Sequence, residues 1–249
     1  MRQRLDNEMV KRGLVISRSQ AESWIKLGKV TVNDRMVSKP GHFVGVDSEI
    51  KLLADNQYVS RAGLKLASVA EILKLDFRDK VVLDVGSSTG GFTDYALRHG
   101  AKKVFAVDVG TDQLHPSLRH DKRIDLHEKT DIRDFLMPEK PDIIVIDVSF
   151  ISLRDVLPHI NDNLSDSKTQ IVAMVKPQFE AGKDQTNKGI IKNDSMRRQI
   201  LRDFEDWSRN LFVIIDKRDS DVAGAKGNQE RFYLLTLKRN STISPGRIT

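Results

Sequence analysis

From Val81 onward, short apolar runs alternate with stretches of helical periodicity. The runs are Val81-Val82-Leu83, Val104-Phe105-Ala106-Val107, Ile124-Asp125-Leu126, Ile143-Ile144-Val145-Ile146 and Ile171-Val172-Ala173-Met174-Val175. They are short, rich in β-branched residues and joined by connections of about 15–25 residues, the rhythm of βαβ units. Continuous apolar runs predict parallel strands buried on both faces. Phe212-Val213-Ile214-Ile215 and Phe232-Tyr233-Leu234-Leu235 bring the expected strands to seven. Gly182 to Asn193 reads as a polar surface loop, and Asn193 or Asp194 should cap a helix running to about Arg209. The tail from Asn240 to Thr249 reads as frayed.

The first 55 residues follow another pattern. Leu5, Met9 and Val10 share one helical stripe, with Gly13 placed to end the helix. Ser17 followed by Gln20 reads as a capping box for a second helix. Ala21, Trp24, Ile25 and Leu27 would face inward, with Gly28 at its end. Lys29-Val30-Thr31-Val32 alternates as a strand, Asn33-Asp34 supplies turn chemistry, and Glu49-Ile50-Lys51-Leu52 forms a second strand. The expectation is two short helices and a small hairpin sheet.

Charge sharpens this division. Of 249 residues, 41 are Lys or Arg and 35 Asp or Glu, a net charge of +6. Residues 1–40 hold Arg2, Arg4, Lys11, Arg12, Arg18, Lys26, Lys29, Arg35 and Lys39 against Asp6, Glu8, Glu22 and Asp34. Most of the excess therefore sits on a basic N-terminal module ahead of a nearly neutral body, a handle for a polyanion. The absence of cysteine excludes a disulfide scaffold, a thiolate zinc site and a cysteine nucleophile. The six histidines follow no metal-ligand spacing, so no metal is expected. The longest apolar runs fall far short of the roughly 18 residues of a membrane span, and no apolar segment follows the charged start as in a signal peptide. A cytoplasmic, monomeric protein is expected.

Arg4-Leu5-Asp6, Gly13, Ser17-Arg18, Ala21, Ile25, Gly28, Val30-Thr31-Val32-Asn33 and Asp47-Ile50 resemble the S4-type RNA-binding domain. The resemblance implies that the helices present Arg4, Lys11, Arg12, Arg18 and Lys26 to folded RNA, with phosphates supplying much of the affinity.

The first strand of the body runs into Asp84-Val85-Gly86-Ser87-Ser88-Thr89-Gly90-Gly91-Phe92-Thr93-Asp94. Its glycines permit a tight strand-to-helix turn and close approach of a ligand. The spacing Gly-x-x-x-Gly-Gly is not the dinucleotide fingerprint, and no Lys-Ser/Thr pair makes a P-loop. Asp108 ends the second strand, where an acid can hold a ribose diol. Asp131 follows the third, where it could take an adenine amino group or merely cap a turn. Together these features resemble class I S-adenosylmethionine-dependent methyltransferases. The implied donor contacts are Asp84, Gly86, Ser87, Ser88, Thr89, Gly90, Gly91, Phe92, Asp108 and Asp131.

Asp147 and Lys176 close the fourth and fifth strands, the edge where open α/β sheets bind ligands. Lys65 lies on an apparent helix capped by Ser60, and Glu230 opens the last strand. In order and element, Lys65-Asp147-Lys176-Glu230 resembles the tetrad of FtsJ-like ribose 2′-O-methyltransferases. That likeness implies Lys176 nearest the reacting hydroxyl, as base or oxyanion stabiliser. Asp147 and Lys65 would tune it, and Glu230 would anchor the network. With the S4-like module, Tyr58 to Leu66, Asp147-Val148-Ser149-Phe150-Ile151-Ser152-Leu153 and Val175-Lys176-Pro177-Gln178-Phe179-Glu180, nearly the whole chain resembles the hemolysin A/TlyA family. The departure is His115-Pro116-Ser117, where relatives carry a Trp-Lys-like pair.

The expected architecture is a seven-stranded class I (Rossmann-like) S-adenosylmethionine-dependent methyltransferase fold with a small N-terminal α+β S4-like domain, divided as residues 1–56 and 57–249. The implied activity is cytidine 2′-O-methylation of ribosomal RNA, with ribosomal RNA or subunits as partners. Against it stand a hemolysin-like membrane-active protein, which lacks a visible apolar span, and a catalytically idle RNA-binding protein. A nicotinamide-dependent dehydrogenase fails on the glycine spacing.

Overall fold

A computed structural model of the chain describes residues 2–15, 18–26, 28–53, 58–182, 186–187, 189–191, 193–224 and 227–238. The predicted cap Ser17, the inward-facing Leu27 and the tail from Asn240 lie outside the described residues.

The N-terminal module comprises β1 (Gln3–Arg4), α1 (Leu5–Lys11), α2 (Arg18–Lys26), β2 (Val30–Val32), β3 (Arg35–Met36), β4 (Phe43–Val44) and β5 (Ile50–Leu52). The α1 stripe buries Leu5 and Met9 completely, against Ala21 and Ile25 of α2. Past the end of α1, Gly13 and Leu14 donate backwards to the carbonyls of Val10 and Met9. Asn33 and Asp34 both adopt positive φ, 49° and 60°, giving the two-residue turn whose twist suits a hairpin. The expected hairpin is enlarged: β2 is the centre of a three-stranded antiparallel sheet, β3-β2-β5. A separate two-stranded piece, β1-β4, forms because Leu5 and Asp6 donate to the carbonyls of His42 and Pro40. Gln20 donates its side-chain amide across to the carbonyl of Tyr58 at 2.7 Å, tying α2 to the body.

The body contains α3 (Arg61–Ala70), β6 (Val81–Val85), α4 (Gly91–Arg98), β7 (Lys103–Val107), β8 (Ile124–His127), β9 (Ile143–Ile146), α5 (Leu153–His159), β10 (Gln170–Val175), α6 (Pro177–Glu180), β11 (Thr186–Asn187), β12 (Ile190–Ile191), α7 (Asp194–Ser208), β13 (Phe212–Asp219) and β14 (Arg231–Leu237). All seven predicted strands form one sheet, in the order β13-β14-β10-β9-β6-β7-β8. The strands from β8 to β10 run parallel, while β14 is antiparallel to both its neighbours. Alternate residues feed opposite cores: Ile143 and Val145 join the α3/α4 side, Ile144 and Ile146 the α5/α7 side. The first of these cores continues through Tyr58 into the N-terminal module.

Two local expectations change. The predicted loop from Gly182 to Asn193 contains the short hairpin β11-β12. It is held from a distance by Asn228, whose amide donates to Gly189 O and accepts from Ile191 N. Ser60 occupies the cap position of α3, but its buried hydroxyl makes no cap hydrogen bond. Asn193 does cap α7, accepting from Met196 N at 2.9 Å.

The starts of α3 and α4 touch through glycines. A Cβ on Gly63 would lie 2.6 Å from Tyr58 Cβ and 2.9 Å from Gly91 O. Gly63→Ala should therefore force the helices apart and cost about 1–3 kcal/mol, read as a lowered urea midpoint at unchanged slope.

Candidate active site

The parallel register ends several strands at one edge. Val85 of β6 pairs with Ile146 of β9, so Gly86 and Asp147 emerge side by side. The last pair of β10 and β14 is Val175 with Arg231, so Lys176 and Glu230 are the next residues out. Because β14 runs backwards, its first residues meet the ends of the parallel strands.

Two adjoining cavities lie along this edge, sharing Gly86, Ser88, Asp147 and Ser149. The larger, about 420 Å³, reaches Asp108, Gly110, Gln113, Asp131 and Phe150. The smaller, about 130 Å³, is lined by Asp84, Ser87, Thr89, Phe92 and Lys176. Gly86 shapes their junction: its φ is +79°, and a Cβ there would lie 2.8 Å from Asp147 O. Gly90 and Gly91 line neither cavity. They turn the chain and give room to Leu114 and Leu118 on one side and to α3 on the other.

Asp84 is buried, with Oδ2 accepting from Thr93 Oγ1 at 2.6 Å and Oδ1 unpartnered. Burial, aided by the negative charge of Asp147, outweighs the Thr93 hydrogen bond and pushes its carboxyl up to about 7. The buried Ser87 hydroxyl on the same small cavity is also without a partner. Asp108 steadies the glycine turn, accepting from Ser88 N at 2.8 Å and Gly110 N at 2.6 Å. Asp131 caps a 3₁₀ turn through Arg133 N, as one of its two expected roles requires. It also lines the larger cavity and pairs with the Arg133 guanidinium. That guanidinium hydrogen bond holds its carboxyl below the ordinary range.

The four predicted polar residues form two ion pairs. Lys176 Nζ lies 2.6 Å from Asp147 Oδ1 and donates to Ser149 Oγ at 2.6 Å. Lys65 Nζ lies 2.5 Å from Glu230 Oε2, with the side chains only 7% and 3% exposed. The second pair lines neither cavity.

Long-range contacts add residues that spacing did not flag. Ser149 shares the Lys176 ammonium, and Gln113 accepts from Ser88 Oγ at 3.0 Å. Phe150 stands at the rim with φ +67° and 92% exposure, its ring tilted against Phe179. Its place in Asp147-Val148-Ser149-Phe150, directly after a strand-end acid, was the available signal.

On the basic module, Asp6 is fully buried and takes hydrogen bonds from Arg4, at 3.0 and 2.7 Å, and from Arg18, at 2.9 Å. Burial opposes ionisation, but those guanidinium contacts prevail and hold the carboxyl below its usual range. Arg4 and Arg18 remain 40% and 55% exposed beyond it. Lys11 and Lys26 are exposed. Arg12 differs: its guanidinium binds Glu8 and the carbonyls of Val46 and Ser48, bracing the 45–48 turn.

A sheet of this order, with a glycine turn after its central strand and acids after the next two, defines a class I methyltransferase architecture. Residues 58–238 match the family described as FtsJ-like methyltransferase, and residues 3–50 match the S4 domain. Hemolysin A of Brachyspira hyodysenteriae is 39% identical, over 91% of this chain and 97% of that protein. The 16S/23S rRNA (cytidine-2′-O)-methyltransferase TlyA of Mycobacterium tuberculosis is 36% identical, over 98% and 93%. A solved candidate hemolysin from Streptococcus thermophilus superposes with a TM-score of 0.71 at 37% identity, covering 95% of this chain and 89% of its own. The chain belongs to the FtsJ-like methyltransferase family and carries an S4 domain ahead of the catalytic fold.

Asp84 makes stability depend on pH in a definite direction. The folded chain keeps the Asp84 proton up to about 7, while an unfolded carboxyl releases it near 4. Between these values unfolding releases a proton, so this contribution to stability falls as pH rises and is level outside the window. Urea midpoints of wild type and Asp84→Asn, measured from pH 4 to 8, should show the wild type losing ground across that interval.

Proposed function

We propose that this chain transfers a methyl group from S-adenosylmethionine to a ribose 2′-hydroxyl of ribosomal RNA, at a cytidine. Residues 1–56 hold the RNA and residues 57–249 carry out the transfer. The observation that carries this reading is the Lys176 ammonium, fixed between Asp147 and Ser149 where the two cavities meet. The names of the Mycobacterium tuberculosis relative and of a 44% identical Campylobacter jejuni 23S rRNA (cytidine-2′-O)-methyltransferase support the substrate class.

The residues present fit the donor. The orphaned buried oxygens Asp84 Oδ1 and Ser87 Oγ suit a ligand ammonium and carboxylate beside the small cavity. Asp108 keeps acceptor capacity on both oxygens for a ribose diol beyond its two backbone partners. Asp131, facing the same cavity, is assigned to the adenine amino group. Ser88, Thr89 and Phe92 form the wall, and Gly86, Gly90 and Gly91 give the turn its shape. Bound there, the donor supplies a methyl carbon activated by a sulfonium.

Lys176 has three N–H donors; one goes to Ser149 Oγ, while the Asp147 carboxylate lies 2.6 Å away as an ion pair without a hydrogen bond. A donor is left for the 2′-oxygen. An ammonium held by one hydrogen bond and one ion pair acts first as a stabiliser of the developing alkoxide, aimed before charge appears. The hydroxyl proton is released to water as the new carbon–oxygen bond forms. The Lys65–Glu230 pair keeps a second cation neutralised. Phe150 offers its exposed face to a base drawn out of its stack. Arg4, Arg18, Lys11 and Lys26 contact RNA phosphates, with Arg4 and Arg18 aimed by Asp6, while Arg12 serves the fold.

Among the described residues no helix is long and apolar enough to cross a membrane, which gives the hemolysin reading no support. The two intact ion pairs speak against an idle scaffold.

With labelled donor and ribosomal subunits, Lys176→Ala should lose at least about 100-fold in rate at unchanged donor affinity. Equal label in both proteins overturns the role of Lys176; no label in either overturns the substrate class. Phe150→Ala should chiefly raise the KM for RNA. Arg4→Ala and Arg18→Ala should each weaken RNA binding and reduce the slope of log K against log salt by about one, leaving the donor unaffected.

A further inference from the structure

We infer that Glu180 is a positioning residue for the proposed transfer: it ties the loop after β10 to the loop after β9 and so sets where Lys176 meets Asp147, Ser149 and the 2′-oxygen. The inference rests on the reading of Lys176 given above.

Glu180 closes α6, the single turn that follows Lys176, and its side chain is 1% exposed. Oε1 accepts from Leu153 N at 2.7 Å and Oε2 from Ser152 Oγ at 2.6 Å. Ser152 Oγ in turn accepts from Arg154 N at 3.0 Å, capping α5. Arg154 Nε stands 3.7 Å from Oε2, too far for a hydrogen bond. A carboxylate is thus taken out of water to grip the far end of the Val148–Ser152 loop.

The same two loops meet at two other points. Lys176 reaches Asp147 and Ser149 at the near end, and the Phe179 ring lies 5.3 Å from that of Phe150 midway. Glu180 is the last of three rungs. Two features need it. A four-residue helix has no stability of its own, so the direction in which the chain leaves Lys176 depends on what holds the end of that turn. Phe150 keeps a left-handed φ of +67° without being glycine, and such strain persists only where surrounding contacts over-determine it. Both ends of the strained loop are fastened to the segment Lys176 to Glu180.

If Glu180 only capped α5, its loss would lower stability and leave the chemistry of Lys176 alone. The test compares full-length wild type, Glu180→Ala and Glu180→Gln. The readouts are donor affinity, single-turnover methylation of ribosomal subunits, and the pH dependence of Lys176 acetylation by acetic anhydride, followed by mass spectrometry. Glu180→Ala should lose about 10- to 100-fold in the methylation step with donor affinity within about twofold of wild type. The pH midpoint of Lys176 labelling should move, because its distance to Asp147 and Ser149 changes. Glu180→Gln, which keeps an acceptor for Leu153 N, should recover most of both effects. An unchanged labelling profile in Glu180→Ala overturns the inference, as does a rate loss fully matched by lost donor binding. If wild type methylates no ribosomal RNA, the proposed function fails, while the labelling comparison still decides Glu180. Should Glu180→Ala not fold, Ser152→Ala removes one of the two hydrogen bonds of this rung together with the cap of α5, and the Lys176 labelling profile, which loss of the cap alone would not move, is read in the same way.

Discussion

At the centre of the molecule one backbone lies directly against another. Gly86 leaves β6 with a positive φ and passes so close to the Asp147 carbonyl that no side chain fits between them. That approach brings the turn after β6 and the loop after β9 into one wall. The two cavities share this wall, and Asp147 projects from it toward Lys176. A wider separation would detach the glycine turn from the charged pair.

Charge is arranged around this junction in matched sets. Asp84 within the first parallel strand and the acids after the next three each have a distinct local partner: Thr93 for Asp84, backbone amides for Asp108, Arg133 for Asp131 and Lys176 for Asp147. The buried Lys65–Glu230 pair is a different case. Breaking it from either side leaves an uncompensated buried charge, typically about 3–5 kcal/mol, so the pair constrains the wall even where it touches no cavity. On the N-terminal module, burial of one carboxylate at Asp6 sets the direction of two arginines.

The seven strands were legible because a sheet buried on both faces requires unbroken apolar runs, and β9 and β10 have little else in them. Asp84, Asp108, Asp147 and Lys176 were legible because each sits at a strand end, a position that sequence marks. Contacts made from a distance were not. The β11-β12 hairpin is held by Asn228, some 40 positions away, and each of its strands is only two residues long. Ser60 carries the right residue type for a cap, but it is pressed against the start of α4 and donates nowhere. Arg12 looks like its basic neighbours in sequence; only the fold reveals four acceptors around it. For the same reason Ser149 and Gln113 could not be singled out before the loops were seen together.

The reversed direction of β14 bears on how the protein is made. Lys65 emerges early from the ribosome, on a helix that will bury it, while Glu230 arrives only with the last strand of the sheet. Until then the Lys65 ammonium lacks the carboxylate that it faces in the folded chain. The pair between α3 and the start of β14 can therefore form only once β14 has been made.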